Sequence, residues 1–381
     1  MAGKRQRIAV FIPDLGGGGA ERVQLSVMKE LVSRGHQVDL VLAFHGGALL
    51  ELLPPEVRVF ELRAPRLAST LLPLVRYLKK ERPDALHGIM WPSTVIAPIA
   101  HLLAGSTARL MVSEQAALSQ QYRRKRQRAL LRTTARLAWP RADFRIACAA
   151  GTADDIAWLS RLPRSSFEVI TNPTSPPEVI ASTPEAEEWW GDADGRVITV
   201  GQMKAQKNHA LLLRAFARLV GKCPAAKLMI LGRGQLQPEL EALAAELGIA
   251  DRVIFPGFRL SPWPFLASAD LFALSSDYEG LPLVLAEAMH AGLKVVSTDC
   301  TSGPRELLDG GRYGRLVPVG DAAALADAMV EALGEAANPE RQRGRAEVVS
   351  GRDSIRRYAD LLTGAVTDEP ASLRSSQCPE S

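Results

Sequence analysis

The chain is expected to fold as two doubly wound, Rossmann-like α/β domains that face each other across a cleft. Three observations carry this expectation. The 381 residues exceed one ordinary core and suit two domains of roughly 150–200 residues each. Short apolar, β-branched runs alternate with helical patterns, the rhythm of parallel sheets covered on both faces. That rhythm restarts near residue 196, after a stretch rich in proline, serine and acidic residues.

Composition narrows the function class. The chain is 47% hydrophobic and 23% charged, as globular proteins are. No apolar run approaches the ~20 residues that span a bilayer. The basic N-terminus leads into "RIAVFIP", which reads as a first strand and not a signal peptide. Cys148, Cys223, Cys300 and Cys378 lack metal-ligand spacing, which suits a reducing cytosol. Residues 1–182 carry 25 Lys and Arg against 15 Asp and Glu, whereas residues 183–381 carry 21 against 27. A basic half beside an acidic half suggests that one domain meets an anionic surface or substrate.

In the first half, strands are expected at "RIAVFIP", "QVDLVLAF", "VRVFEL", "DALHGI", "RLMVSE", "FRIACAA" and "FEVITNP". Gly16–Gly19 follow the first strand and open a helix, where backbone N–H groups favour an anion. The loop does not spell the dinucleotide fingerprint, since Glu21 and Arg22 fall where a third glycine belongs; this disfavours a dehydrogenase. A plain tight turn remains an alternative. Glu114 and His87 both lie near carboxyl edges of strands, where ligands bind in such sheets.

Between Ala116 and Ala142 lie eight cations and no acid. Read as a helix, Arg124, Arg128, Arg132 and Arg136 form one i, i+4 row, and Tyr122, Leu130 and Leu137 lie on another face. A basic helix with an apolar face suits an anionic membrane surface; a solvated or ion-paired face is the alternative. No aromatic-interleaved platform supports nucleic acid.

Residues 171–195 read as an interdomain linker. Beyond them, strands are expected at "RVITVGQ", "AKLMILG", "RVIFPG", "DLFALSS", "KVVST" and "GRLVPV". The tail from 366 to 381 is polar and aperiodic and is expected to be disordered. Asp192–Asp194 imitate a metal-binding D-x-D but precede a strand, and no other cluster has ligand spacing.

The stretch "YEGLPLVLAE" holds Glu279 and Glu287 with seven residues between them. A helix is expected to start near Pro282. Glu279 then lies just before it and Glu287 about one and a half turns inside. The amides of Leu283 and Val284 would face an anion. A nucleotide sugar supplies both chemistries, a diphosphate for the amides and hydroxyls for the carboxylates.

These motifs resemble family-4 retaining glycosyltransferases of the GT-B fold, over roughly residues 7–365. Glu279 and Glu287 match the family's E-x7-E. "VGQMKAQKNH", the Gly232–Gly234 turn and "TDCTSGPRELLDGGRYGRLVPVGD" resemble its other segments in order. "GGGGAERV", "VSEQ" and "VITNP" fit a bacterial branch that builds surface polysaccharides. The resemblance implies an acceptor-binding domain over 1–178 and a nucleotide-sugar domain over 179–345. A C-terminal helix over 346–365 would pack back on the first domain. It implies that Glu279 holds hydroxyls of the transferred sugar, together with Gly280 and Leu281 beside it, and that Glu287 holds the ribose. Lys207, Leu283 and Val284 would meet the diphosphate. Gly232, Arg233, Gly234, Phe258 and Arg259 would flank the base, and Gly17, Gly18 and Gly19 the opposite wall.

Two positions depart from the family pattern. Gln202 stands where an arginine usually provides a second phosphate cation, and Lys204 or Arg233 would have to compensate. Glu114 stands where many members place a histidine, and would orient or deprotonate the acceptor hydroxyl; His87 is the other candidate for acceptor contact. Glu279, Lys207 and Glu114 are thus the expected catalytic groups. The expected activity is retaining transfer from a nucleotide sugar, most often UDP-linked in this family, without a cofactor or divalent metal. The acceptor would be a polyprenyl-diphosphate-linked or other lipid-linked saccharide at the cytoplasmic membrane face. Alternatives are a degenerate nucleotide-sugar-binding protein, motivated by Gln202, and a nucleotide-sugar epimerase.

Overall fold

The computed structural model describes residues 5–174, 176–351 and 353–365. It contains a strand in every apolar run named above. Seven form the first sheet: β1 Arg7–Ile12, β2 Gln37–Leu42, β3 Arg58–Glu61, β4 Ala85–Ile89, β5 Arg109–Glu114, β6 Phe144–Ala147 and β7 Glu168–Val169. Six form the second: β8 Arg196–Val200, β9 Lys227–Leu231, β10 Val253–Gly257, β11 Leu271–Leu274, β12 Lys294–Thr298 and β13 Arg315–Val317.

The sheets run in the orders β3-β2-β1-β4-β5-β6-β7 and β10-β9-β8-β11-β12-β13, with parallel pairing throughout. Each order reverses once, between β1 and β4 and between β8 and β11. Loops leaving the carboxyl ends of strands beside such a reversal splay apart and open a crevice. The glycine loop follows β1, Lys207 follows β8 and Glu279 follows β11, so topology alone brings these three segments to crevices.

The central strands are buried on both faces because helices cover both. In the first domain, one core layer holds Leu74, Val95, Leu131 and Ile156, each from a different helix. The opposite layer holds Val27 and Leu31 of helix Gly19–Ser33 with Tyr358 and Leu362 of helix Asp353–Thr363. The C-terminal segment therefore completes the first domain. The return begins later than expected. Helix Pro339–Ser350 still packs on helix Leu283–His290 of the second domain, and the chain breaks at Gly351 before helix Asp353–Thr363. The segment from 366 to 381, expected to be disordered, lies outside the described residues.

The linker is more ordered than its composition suggests. Helix Pro184–Trp190 starts at Thr183, whose side chain accepts from Ala186 N. Trp190 is fully buried in the second core, and its Nε1 donates to Ser268 Oγ at 2.8 Å. Apolar burial of one large ring thus docks a polar segment. Where the chain crosses back, Thr174 N donates to Ser350 O at 2.9 Å, and the hydroxyls of Thr171 and Ser354 lie 3.1 Å apart. Among the described residues no helix is long and apolar enough to cross a membrane. Trp190→Ala is expected to destabilise the second domain by ~3–5 kcal/mol, the usual loss for a large aromatic truncated in a core, as read by chemical denaturation.

Candidate functional site

Glu279 stands at the carboxyl edge of the second sheet and is 6% exposed. Its Oε1 accepts from Lys207 Nζ at 2.7 Å and from Ser276 Oγ at 2.6 Å. Gln206 Nε2 lies 3.4 Å from Oε2 and 2.9 Å from the carbonyl of Tyr278. A carboxylate pinned by three donors has one orientation, and an ammonium has donors to spare for a second anion. Ser276 and Gln206 escaped the sequence reading, although Gln206 adjoins Lys207 and Ser276 ends the run "DLFALSS" three residues before Glu279.

Helix Leu283–His290 begins after Pro282, so the first-turn amides of Leu283 and Val284 lack intrahelical acceptors. Leu283 is buried and Val284 half-buried. Glu287 is buried one turn further on, and burial raises its pKa; the charge opposing that shift comes from Arg22. No described side chain hydrogen-bonds to the Glu287 carboxylate.

The glycine loop forms the facing wall. A Cβ on Gly17 would press on the Phe258 ring at 3.1 Å, and one on Gly19 on Leu283 Cδ1 at 3.1 Å. Arg22 Nη2 donates to the carbonyl of Leu260 at 2.8 Å. Of the candidates to replace the cation missing at Gln202, Lys204 is the one in the crevice. It remains open to solvent, and its ammonium has no hydrogen bond or ion pair among the described residues. Its pKa is lowered, first by the surrounding protein and then by Lys207, while Glu279 and Glu21 pull it up. Gln202 and Arg233 are exposed.

Several glycines have backbone reasons that the sequence did not disclose. A Cβ on Gly232 or Gly234 would collide with the backbone of Gly201 or Met203, so both are required where the β8 and β9 loops touch. Gly280 pairs with Ala116 of the first domain in an antiparallel bridge, and a Cβ there would overlap the carbonyl of Gln115. Leu281 is buried, and its carbonyl lies 3.4 Å from Asn172 Nδ2. Arg259 turns to Glu185 of the linker helix at 3.1 Å and stacks over Phe265, leaving Phe258 to face the glycine loop.

On the first domain, Glu114 is buried. Its Oε1 accepts from Thr94 Oγ1 at 2.5 Å and its Oε2 from Trp91 N at 3.2 Å. Burial pushes its pKa up to about 8. His87 is corrected: its side chain does not reach the cleft. It is wholly buried in β4, Nε2 lies 2.8 Å from Ser113 Oγ, its ring neighbours Tyr358, and burial drives its pKa down to about 3. It is a core histidine, unable to contact an acceptor.

The arginine row is also corrected. Helix Lys125–Ala138 turns Arg128, Arg132 and Arg136 inward as half-buried residues, while Arg124 at its start is exposed. Arg128 Nη2 donates to Ser119 O at 3.2 Å, and the Arg132 guanidinium lies 5.0 Å over the Trp158 ring. The long aliphatic stems of arginine cover apolar neighbours, which brings the row against helix Ala150–Ser160. The outward face carries Arg126, Leu130 and Leu137 instead, the leucines 56% and 62% exposed.

The raised pKa of Glu114 has a consequence for stability. The folded state keeps this proton up to about pH 8, whereas the unfolded chain releases it at the ordinary carboxylic value. Between those pH values the folded state binds more protons, so the Glu114 contribution to stability falls as pH rises. Glu114→Gln is expected to flatten the decline of Tm between pH 5 and 8, as measured by thermal denaturation at several pH values.

Comparison with known proteins places this architecture. The family described as "Glycosyltransferase Family 4" matches residues 17–176, and "Glycosyl transferases group 1" matches residues 194–335. The chain is 30% identical over 324 residues to the N-acetylgalactosamine-N,N'-diacetylbacillosaminyl-diphospho-undecaprenol 4-alpha-N-acetylgalactosaminyltransferase of Campylobacter jejuni, covering 82% of this chain and 86% of that protein. It is 28% identical over 363 residues to the lipopolysaccharide core biosynthesis glycosyltransferase LpsE of Rhizobium meliloti, covering 93% and 97%. The fold matches that of Anabaena Alr3699/HepE, whose crystal structure holds UDP and glucose, with a TM-score of 0.80 at 21% identity over 95% of this chain and 100% of the other. The chain belongs to glycosyltransferase family 4 and has the GT-B fold.

Proposed function

We propose that this glycosyltransferase moves a sugar from a UDP-sugar to a hydroxyl of a lipid-linked saccharide, with retention of anomeric configuration, in building a bacterial surface polysaccharide. The observation that carries this reading is the Lys207–Glu279 pair at the carboxyl edge of the second sheet, with the buried Glu287 behind it. Two names support the finer terms. The Campylobacter relative is named for a diphospho-undecaprenol-linked substrate, and the HepE structure contains UDP and glucose. Retention follows from the family resemblance.

In this reading the ribose hydroxyls donate to Glu287, and the sugar hydroxyls donate to Glu279 in the orientation set by Ser276 and Gln206. Lys207, Lys204 and the amides of Leu283 and Val284 take the diphosphate in place of a divalent ion. The acceptor oxygen attacks C1 from the face that the diphosphate leaves. The C1–O bond to phosphate breaks, the new C1–O bond forms on that face, and the acceptor proton passes to the departing phosphate oxygen. Charge stabilisation at the leaving group then carries most of the rate, and closure of the cleft excludes water.

Calorimetry with UDP, GDP and ADP in EDTA tests the site. Selective binding of UDP is expected, weakened at least ~tenfold by Lys207→Ala with Glu287→Ala, since charge-assisted hydrogen bonds contribute ~1.5–3 kcal/mol each. Lys204→Met is expected to weaken UDP more than UMP. No binding of any nucleotide would overturn the assignment. UDP release from the bound sugar donor separates a transferase from a pure binder.

The outward face of helix Lys125–Ala138 is the proposed contact with an anionic membrane at the cytoplasmic face. Sedimentation with phosphatidylglycerol vesicles is expected to capture the protein, and neutral phosphatidylcholine vesicles to leave it in solution. Leu130→Glu with Leu137→Glu should abolish capture; unchanged capture would refute this face.

A further inference from the structure

Trp91, Tyr122 and Tyr278 are half-buried, and neither the family motifs nor the donor site accounts for them. Trp91 follows the carboxyl end of β4. Its backbone N–H is held by Glu114 at 3.2 Å, and its indole Nε1 lies 3.4 Å from Thr134 Oγ1. The Tyr122 ring meets the Trp91 ring edge-on, with centroids 4.6 Å apart and planes at 67°. Tyr122 also lies within electrostatic range of Glu114 and of Tyr278. Tyr278 comes from the second domain and immediately precedes Glu279. The Ala116–Gly280 bridge sets these two chain segments side by side.

We propose that these three aromatic side chains form the wall against which the sugar ring of the acceptor lies, an inference that rests on the function proposed above. A pyranose presents C–H groups on its faces and hydroxyls at its rim. Rigid aromatic rings cover the first at little conformational cost, and phenolic tips hydrogen-bond the second. The rings themselves carry no formal charge and meet the saccharide of a lipid-linked acceptor, while the Arg123 guanidinium stands within electrostatic range of Tyr278. The wall adjoins Glu279, so a sugar seated on it has a hydroxyl at the edge of the donor sugar. Glu114 acts here as a positioning residue: it fixes the turn from which Trp91 projects.

The wall divides the cleft into two ends that can be read separately. Phe258, Arg22 and Glu287 define the nucleotide end, and Trp91 and Tyr122 the acceptor end. Loss of a ring at the acceptor end should therefore leave nucleotide affinity in place.

The test uses the full chain saturated with UDP, and octyl glucoside, octyl galactoside and octyl N-acetylglucosaminide as probes in saturation-transfer NMR. The wild type is expected to bind at least one glycoside through its ring protons. Tyr122→Ala is expected to weaken that binding by ~tenfold, a typical loss for one aromatic contact, and Tyr122→Phe by less. Tm and UDP affinity serve as the folding controls. Equal glycoside binding by Tyr122→Ala, or no binding of any probe by the UDP-loaded wild type, would overturn the wall. Failure of UDP itself to bind would instead overturn the donor reading.

Discussion

The site depends on one backbone contact, the antiparallel pairing of Ala116 with Gly280. It is possible only because Gly280 has no Cβ; a methyl group there would overlap the carbonyl of Gln115 and crowd the Cys148 sulfur. It aligns the residues beside it in each segment. On one side, Glu114 and the turn of Trp91 are fixed at the edge of the first sheet. On the other, Glu279, Leu281 and the start of helix Leu283–His290 are fixed at the edge of the second. Gly303 closes the same knot, with φ +89 and a Cβ position occupied by the carbonyl of Gly280. Side chains reinforce the main-chain contact: Leu283 reaches the first core, Cys148 reaches the second, and the Glu306 carboxylate accepts from Ala150 N at 2.9 Å and Gly151 N at 3.1 Å.

Around that contact the charges are only half-compensated. Glu279 has Lys207, but Glu287 has no described donor and Lys204 no described acceptor. A buried ion pair is weak support for stability, yet removal of one partner leaves the other stranded at ~3–5 kcal/mol. Lys207 and Glu279 are therefore coupled in folding as well as in binding. Glu114 solves the same problem differently: with a hydroxyl, an amide and no cation at hand, it keeps its proton. Three carboxylates thereby have three different surroundings: an ammonium at Glu279, a hydroxyl and an amide at Glu114, and no described donor at Glu287.

The strands were legible because buried parallel strands write themselves as short β-branched runs, and the E-x7-E pair was legible because a proline marks the helix start between its members. Lys207 and Glu279 meet in an ion pair, and Glu287 lies in the helix that starts after Pro282. Other positions resisted for physical reasons. His87 sits in the middle of a strand that is buried on both faces, so its side chain lies in the core and does not reach the carboxyl edge. The arginine row reads as outward because charge suggests solvent, yet arginine stems pack well against a tryptophan. Gly232 and Gly234 owe their identity to a neighbouring loop that is distant in sequence. Trp91 had a signal, an aromatic residue just past a strand's carboxyl end. Its partner Tyr122 was assigned to an apolar helix face, and only the tertiary structure joins the two.

Gln202, where the family resemblance leads one to expect an arginine, redistributes labour in the proposed reaction. An arginine offers a planar fork that grips a phosphate in one orientation, while a lysine is a compact point charge on a flexible stem. Two lysines can neutralise a diphosphate without fixing its geometry. Orientation must then come from the groups that are rigid: the amides at the start of a helix, the Glu279 carboxylate locked by Ser276 and Lys207, and Glu287 inside the helix. Charge and direction, usually combined in one guanidinium, are supplied here by different residues. Transition-state stabilisation in such a site rests on how well the cleft closes over the lysines, because their field strengthens as water leaves. The contacts of Gly17 with Phe258 and of Gly19 with Leu283, which bring the two walls together, thereby become part of the electrostatics of the reaction.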